Sequence, residues 1–401
     1  MMKQAVKVAI IDDGISRGIC RSQGIVVNCY ELVDRQVRRL EEDADISSLS
    51  HGTICTLILA SFTKHMEIYS LNIIPQASRT TSVYDLCIAL EWCLENDIKI
   101  VNMSLGTTYF ADYFILESII QQLYMNGTII VAACNNDNVL TSPASMPNVI
   151  GVKCDSQDVL KEGEFFYNEK DIRNIQITSC CIYSPLEGLP IEICNSYAAP
   201  YITALVINYT YEGLDSYEQM IEKLKEASTN HPILGSYSYD LKSIGSSNDP
   251  DVPHIGLWNG CESEHDHLMD KICSIFQGAG YNGVVISDAC SDHYNFFKLE
   301  NYWTPPVVDV IQICEMIKRV SQPDILLIEL AVGNPKYEPL MKEKLIDKLV
   351  VLMDSREYTD TASPLSASFP NEDIIMVDLA GLKDDQEIAE QIYAQILNIY
   401  A

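Results

Sequence analysis

Nowhere does this 401-residue chain approach the ~20 consecutive apolar residues that a membrane-spanning helix needs. Its opening, MMKQAVKVAIIDDGI, holds an apolar run only from Val8 to Ile11 before two aspartates and a glycine. That run is too short for the core of a secretory signal, so a cytoplasmic protein without membrane contact is expected. Positive charge is scarce as well: 27 Lys and Arg stand against 56 Asp and Glu, a net charge of −29. Binding nucleic acid through phosphate neutralisation requires the opposite balance and is excluded. Acidic residues outnumber basic ones on both sides of residue 245, so the acidity is no detachable tail. It keeps the chain in solution and can also steer a basic peptide. Paired CxxC motifs are missing although the chain has 14 cysteines. Cys55 in TICTLILA and Cys87 in VYDLCIAL lie inside apolar stretches, which reads as buried free thiols in a reducing compartment.

What the chain does have is an alternation of strand and helix patterns. VKVAII (6–11), EIYSLNII (67–74), IKIVNMSL (98–105), TIIVAAC (128–134) and NVIGV (148–152) read as strands. Between them, Gly52 to Phe62, Ser82 to Glu95 and Phe114 to Met125 carry helical patterns, the last capped by Gly127. Near-continuous apolar strands separated by helices predict an α/β fold, a parallel sheet with helices on both faces. Residues 229–253 are rich in Ser, Gly, Pro and Asn without a sustained period and read as a linker. Beyond it, HIGLW (254–258), GVVIS (283–287), DILLIEL (324–330), KLVVLMD (348–354) and DIIMVDL (373–379) predict a second, smaller doubly wound α/β domain over residues 254–401. Its last helix spans Gln386 to Ile399.

Four segments carry chemistry when taken together. VAIIDDGI puts a carboxylate at the end of a buried strand, and SHGTICTLIL puts a histidine at a helix entrance. IIVAACNNDN places asparagines just past another strand, and CNSYAAPYITALV places a serine one turn before a proline able to occupy a helix's first turn. A serine hydroxyl becomes a nucleophile only when a base takes its proton, and that base needs a carboxylate to fix its tautomer. Singly, each residue has an ordinary structural reading. Asp12 suits a turn or a metal, with Asp13 competing for the role; His51 suits a helix start, and Ser196 a helix cap.

In order and together they resemble the subtilases. VAIIDDGI is similar to the family's V-A-V-I/L-D-T/S-G, HGT (51–53) to its histidine motif, and NMSLG (102–106) to the edge segment that pairs with substrate. AACN (132–135) resembles A-A-G-N, SPASMPNVIGV (142–152) the segment downstream of it, and NSYAAP (195–200) resembles T-S-M-A-S/T-P. The resemblance implies a subtilisin-like peptidase domain over residues 1–228. It implies Asp12, His51 and Ser196 as the catalytic triad, Asn135 as the oxyanion residue, and Ser104, Leu105, Gly106 and Cys134 as substrate-binding residues. No cofactor and no metal are expected. The sequence departs from the pattern at Cys134 and Cys194, where the family has glycine, at Asn195 in place of threonine, and at Tyr197 in place of methionine. Glycine at such places often permits unusual dihedrals, so Cys134 is expected to reshape the primary specificity pocket and Cys194 to disturb the turn carrying Ser196.

The second domain begins as strand, loop and helix, where a P-loop would read GxxxxGKS/T. The loop NGCESEHDH has one glycine, no lysine and several acids, so it cannot cradle phosphates. DILLIELAVG resembles a strand of dethiobiotin-synthase-like proteins, which implies a degenerate nucleotide-binding fold put to recognition. Cys261, His265, His267 and His293 fit no standard zinc spacing and read as an acidic solvated loop. The whole architecture resembles maturation proteins of ribosomally made, modified peptides in clostridia-like bacteria. With no prodomain ahead of Asp12, it implies a cytoplasmic serine endopeptidase that removes a leader from a peptide precursor, with the second domain docking the precursor or a maturation partner. A catalytically silent peptide-binding module and a protease active only with a partner are the alternatives. If residues 229–253 join independent domains, limited proteolysis should nick there first. Cleavage spread evenly through both halves, read by mass spectrometry, would mean one continuous domain.

Overall fold

The computed structural model describes residues 4–41, 49–75, 80–109, 111–136, 140–155, 158–168, 173–181, 183, 193–229, 252–259, 267–287, 296–297, 310–321, 323–330, 346–354, 370–382 and 384–400. The chain forms two compact units, Met1–Ser238 and Tyr239–Ala401. Most of the expected linker, residues 230–251, lies outside the described residues.

The first unit is built on a nine-stranded sheet. In chain order its strands are β1 (Val6–Asp12), β2 (Val27–Val33), β3 (Gln36–Arg39), β4 (Met66–Asn72), β5 (Ile100–Met103), β6 (Ile129–Ala133), β7 (Val149–Cys154), β8 (Phe165–Tyr167) and β9 (Ile177–Ser179). The spatial order is β3-β2-β4-β1-β5-β6-β7-β9-β8. The sheet is parallel except at its two margins, where β3 runs antiparallel to β2 and β8 antiparallel to β9. These short marginal strands lack the apolar runs of the central ones, so the sequence pattern did not reveal them. Among the described residues six helices belong to this unit: α1 (Arg17–Ser22), α2 (His51–Phe62), α3 (Val83–Glu95), α4 (Ala111–Met125), α5 (Asn195–Glu212) and α6 (Tyr217–Ala227).

Val8, Ile10, Ile100, Val131 and Ile150 join one core cluster with α2 and α5. The alternating residues Ala9, Ile11, Val101, Ile130 and Val149 are buried too. The central strands are therefore covered on both faces, as their unbroken apolar runs require. Helix α5 is buried along most of its length, from Asn195 through Ile207, because its sequence is apolar on every side. Helix α6 is amphipathic and buries only Met220 and Leu224. Two expected bounds shift in ways that matter for the site. β5 ends at Met103, so Ser104 and Leu105 leave the ladder. Pro200 lies in the second turn of α5, since the helix begins at Asn195.

The second unit holds a wholly parallel six-stranded sheet, β12-β11-β13-β10-β14-β15. Its strands are β10 (His254–Asn259), β11 (Gly283–Ile286), β12 (Phe296–Phe297), β13 (Ile325–Leu330), β14 (Lys348–Met353) and β15 (Ile374–Asp378). The five expected strands are present with no end moved by more than one residue, and the two-residue β12 adds a sixth. Among the described residues its helices are α7 (Leu268–Gly278), α8 (Val310–Ser321) and α9 (Asp385–Tyr400), with α7 and α9 sharing one core cluster with the sheet. Chain connections leave β10 towards β11 on one side and reach β14 on the other, the arrangement of a doubly wound sheet. Among the described residues no helix is long and apolar enough to cross a membrane.

Gly151 in β7 is packed without room for a side chain. A Cβ there would collide with the Ala144 carbonyl oxygen and lie 2.9 Å from Ile175 Cδ1. Gly151→Ala should destabilise the first unit by about 1–3 kcal/mol through overpacking. Thermal denaturation checks this, and an unchanged melting temperature would mean the strand relaxes freely.

Candidate active site

Parallel strands all point their C-terminal ends to one edge of a sheet, and ligands bind outside that edge. Asp12 ends β1, Ser104 follows β5, Cys134 and Asn135 follow β6, and Cys154 ends β7. The candidate residues from four separate stretches thus gather along this edge.

Asp12 is buried, 3% exposed. Both its carboxylate oxygens face His51 Nδ1, at 3.0 and 2.9 Å. The competing Asp13 has a different job: Oδ2 accepts the His51 backbone N–H at 3.1 Å and Oδ1 accepts that of Gly52 at 2.8 Å. It therefore satisfies two orphan donors at the start of α2 and complements the helix dipole. Ser50 adds the N-cap, accepting the Thr53 N–H at 3.2 Å. Gly52 is glycine because a Cβ would sit 2.6 Å from the Gly14 carbonyl oxygen and 3.1 Å from Asp12 Cβ. The acidic turn and the helix start are pressed together, and this sets the His51 ring on Asp12.

Burial alone would depress the His51 pKa, but the hydrogen bond to Asp12, assisted by Cys55, outweighs it and pushes the imidazole above its ordinary value. Asp13 is pushed up, by burial first, against the lowering effect of the Gly52 N–H. Cys55, one turn beyond His51, has its sulfur 3.9 Å from His51 Nδ1, 3.5 Å from Ser104 Oγ and 3.7 Å from the Ser196 carbonyl oxygen. Burial raises its pKa, which keeps it a thiol. Asp12, His51 and Cys55 form the one set of donors among the described residues with ligand atoms within 4.8 Å of one another. Nδ1 is engaged by Asp12, and the thiol keeps its proton, so the set suits proton handling better than a cation. Of the residues weighed for zinc, Cys261, His265 and His293 lie outside the described residues; His267 directly precedes α7, its Nδ1 3.5 Å from Asp270 Oδ2.

Ser196 is the second residue of α5. Its Oγ donates to the Ser104 carbonyl at 3.3 Å. The position of Pro200 explains how Ser196 is anchored. Proline has no N–H, so the carbonyl four residues back, that of Ser196, has no helical partner from it. Ser104 Oγ donates to that carbonyl instead, at 3.2 Å. A break in the helix ladder becomes a tie between Ser196 and the residue after β5. Tyr197 stacks on the His51 ring, centroids 5.2 Å apart and planes inclined by 26°.

The departures from the expected motifs fit without strain. Cys194 has φ −153° and ψ 158°, extended backbone open to any residue, so the expected disturbance of the turn is absent. Cys134 is 7% exposed, and its sulfur accepts from Asn195 Nδ2 at 3.2 Å. Asn135 N–H donates to Thr141 Oγ1 at 3.1 Å. Leu105 is half-buried and Gly106 exposed, beside the antiparallel bridge between Thr107 and Ser142. The roles of Asp13, Cys55 and Asn195 escaped the sequence reading. Only the four-residue spacing of His51 and Cys55, one face of a helix, could have signalled one of them.

The chain is 27% identical over 166 residues to the minor extracellular protease Epr of Bacillus subtilis (strain 168), a match covering 38% of this chain and 24% of that protein. The chain thus spans about a quarter of the length of that curated relative. Among solved structures it is similar to the prenylagaramide maturation protease PagA, at 19% identity and a TM-score of 0.42, covering 57% of this chain and 85% of that one. It is also similar to the epidermin leader peptide processing serine protease EpiP from Staphylococcus aureus, at 17% identity and a TM-score of 0.39, covering 57% and 72%. The model of the subtilase family matches residues 3–265, well over half of the 401, and the chain belongs to that family.

Proposed function

We propose that the chain is a cytoplasmic serine endopeptidase acting on a peptide precursor, with Asp12, His51 and Ser196 as its triad and Asn135 as its oxyanion donor. The observation that carries this reading is the buried Asp12 carboxylate on His51 Nδ1, at a sheet edge where α5 delivers a serine. In the proposed reaction the Ser196 hydroxyl turns from the Ser104 carbonyl to His51 Nε2 and attacks the scissile carbonyl carbon. His51 takes the proton, and Asp12 stabilises the imidazolium without itself being protonated. The oxyanion of the tetrahedral intermediate is held by Asn135 Nδ2 and the Ser196 N–H. His51 then protonates the leaving amine, and water releases the acyl group by the reverse steps. Ser104, Leu105 and Gly106 offer backbone outside the β5 ladder for pairing with the peptide, and Cys134 walls the primary pocket.

The charge of −29 suits a precursor with a basic segment, with leader removal from a ribosomally made, modified peptide as the specific role. The second unit, without a phosphate loop, would dock the precursor or a maturation partner. One observation favours a second reading: Ser196 Oγ is bonded to the Ser104 carbonyl, as a silent peptide-binding module would also have it. Fluorophosphonate labelling separates the readings. A protease labels at Ser196, a silent module does not, and a partner-dependent protease labels only with its partner.

Ser196→Ala should abolish cleavage of a peptide substrate with the fold intact, and Asn135→Ala should slow kcat by about 10²–10³. Full activity in a clean Ser196→Ala preparation would remove the assignment. The upward pull of Asp12 places the His51 titration, followed by NMR in Ser196→Ala protein, above the ~6.5 of a free imidazole. Neutral His51 is the base, so kcat/KM rises with pH through that midpoint. Asp12→Asn removes the main upward pull and leaves burial opposed only by Cys55, so the midpoint should fall, with kcat down about 10⁴. A midpoint that stays in place would exclude Asp12 as the partner.

A further inference from the structure

Asn195 precedes Ser196 and is 3% exposed. A buried carboxamide is costly unless its donors and acceptor are satisfied. Here all are. Oδ1 accepts the Cys154 N–H at the end of β7, at 2.6 Å. Nδ2 carries two hydrogens and has two acceptors, the Asn135 carbonyl oxygen at 2.7 Å and Cys134 Sγ at 3.2 Å. The Asn195 backbone N–H donates to Asn136 Oδ1 at 3.1 Å. One side chain therefore joins the residue before Ser196 to the ends of both β6 and β7. Cys134 and Asn195, two of the departures from the motif pattern, touch each other. A threonine hydroxyl at 195 has a single hydrogen and could not serve both acceptors.

We propose that Asn195 is a positioning residue for the oxyanion site, its carboxamide fixing the Asn135 segment relative to Ser196 so that the two donors converge on one oxygen. The two groups lie on different elements, Asn135 on the loop after β6 and Ser196 on α5. They are far apart along the chain, and the Asn195 backbone bond to Asn136 Oδ1 reaches only the neighbour of Asn135. The Asn195 Nδ2 bond to the Asn135 carbonyl crosses that gap directly. A donor pair misplaced by an ångström loses much of its advantage in the transition state while ground-state binding is little changed.

The inference rests on the reading of Ser196 and Asn135 given above, and its test is arranged to separate the two. Two variants are used. Asn195→Ala removes the whole carboxamide. Asn195→Asp keeps the acceptor for the Cys154 N–H but puts a charged acceptor in place of the donor to Asn135 and Cys134, a second variant should the alanine protein fail to fold. Each is made alone and with Asn135→Ala. Acting on a peptide substrate, each single variant should lose about tenfold or more in kcat with KM within about twofold. In the Asn135→Ala background the same change should cost less than about threefold, because the residue through which it acts is already gone. A merely structural role would cost the same in both backgrounds. Crystal structures of the variants need no activity, and they should show Asn135 displaced relative to Ser196. Losses that multiply across the double variant, or an Asn135 that stays in place, overturn the inference. A wild-type chain that neither cleaves peptide nor labels at Ser196 strikes the triad reading instead, and the crystallographic comparison still decides the role of Asn195.

Discussion

Burial of α5 is the constraint on which the site depends. An 18-residue helix, apolar on nearly every side, can exist in water only if neighbouring elements enclose it. β5, β6 and β7 on one side and α2 on the other supply that enclosure, as their shared core residues show. Once the helix is seated, its first turn stands at the C-terminal edge of the sheet, where Asp12, Ser104 and Asn135 also emerge. Pro200 then makes the seating specific. It frees the Ser196 carbonyl from the helix ladder, and Ser104 takes it up. A rule that would predict a weakened helix instead describes an anchor between helix and sheet.

Asp12 and Asn195 are buried at this edge, and both are hydrogen-bonded. Asp12 and Asp13 are adjacent acids, and the charge of Asp12 adds to burial in pushing the Asp13 carboxyl up. One holds the His51 ring, and the other holds the backbone donors at the start of the same helix. Both therefore fasten the same residue, from side chain and main chain. Cys55 lies beneath His51 and beside Ser104 and the Ser196 carbonyl, a soft, polarizable filler at a point where a larger polar group would need further partners.

The second unit shows what a pattern of apolar strands can and cannot specify. Its central strands, such as Ile325–Leu330 and Lys348–Met353, are buried on both faces and make a parallel sheet. The loop after its first strand lacks the glycines and lysine that phosphate binding needs. Fold and function are separable here, because the sheet depends on apolar periodicity and a phosphate site depends on loop chemistry.

By itself the sequence indicated the parallel core and the two-part organisation, and it singled out Asp12, His51, Asn135 and Ser196 as candidates. Apolar periodicity and short motifs at strand and helix ends are local signals, and local signals survive in one dimension. It did not reveal the antiparallel margins β3 and β8, which are too short to carry a period. Nor did it show what Asp13 does, because that rests on how the turn after β1 meets the start of α2. The doubt attached to Cys194 came from a glycine rule, and the tertiary structure answered it with an extended backbone there; for Cys134 it adds a carboxamide partner. The same holds for Asn195. Its neighbours Asn135 and Cys154 are 60 and 41 residues away along the chain, and only the packing of α5 against the sheet brings their hydrogen-bonding groups within reach of one side chain.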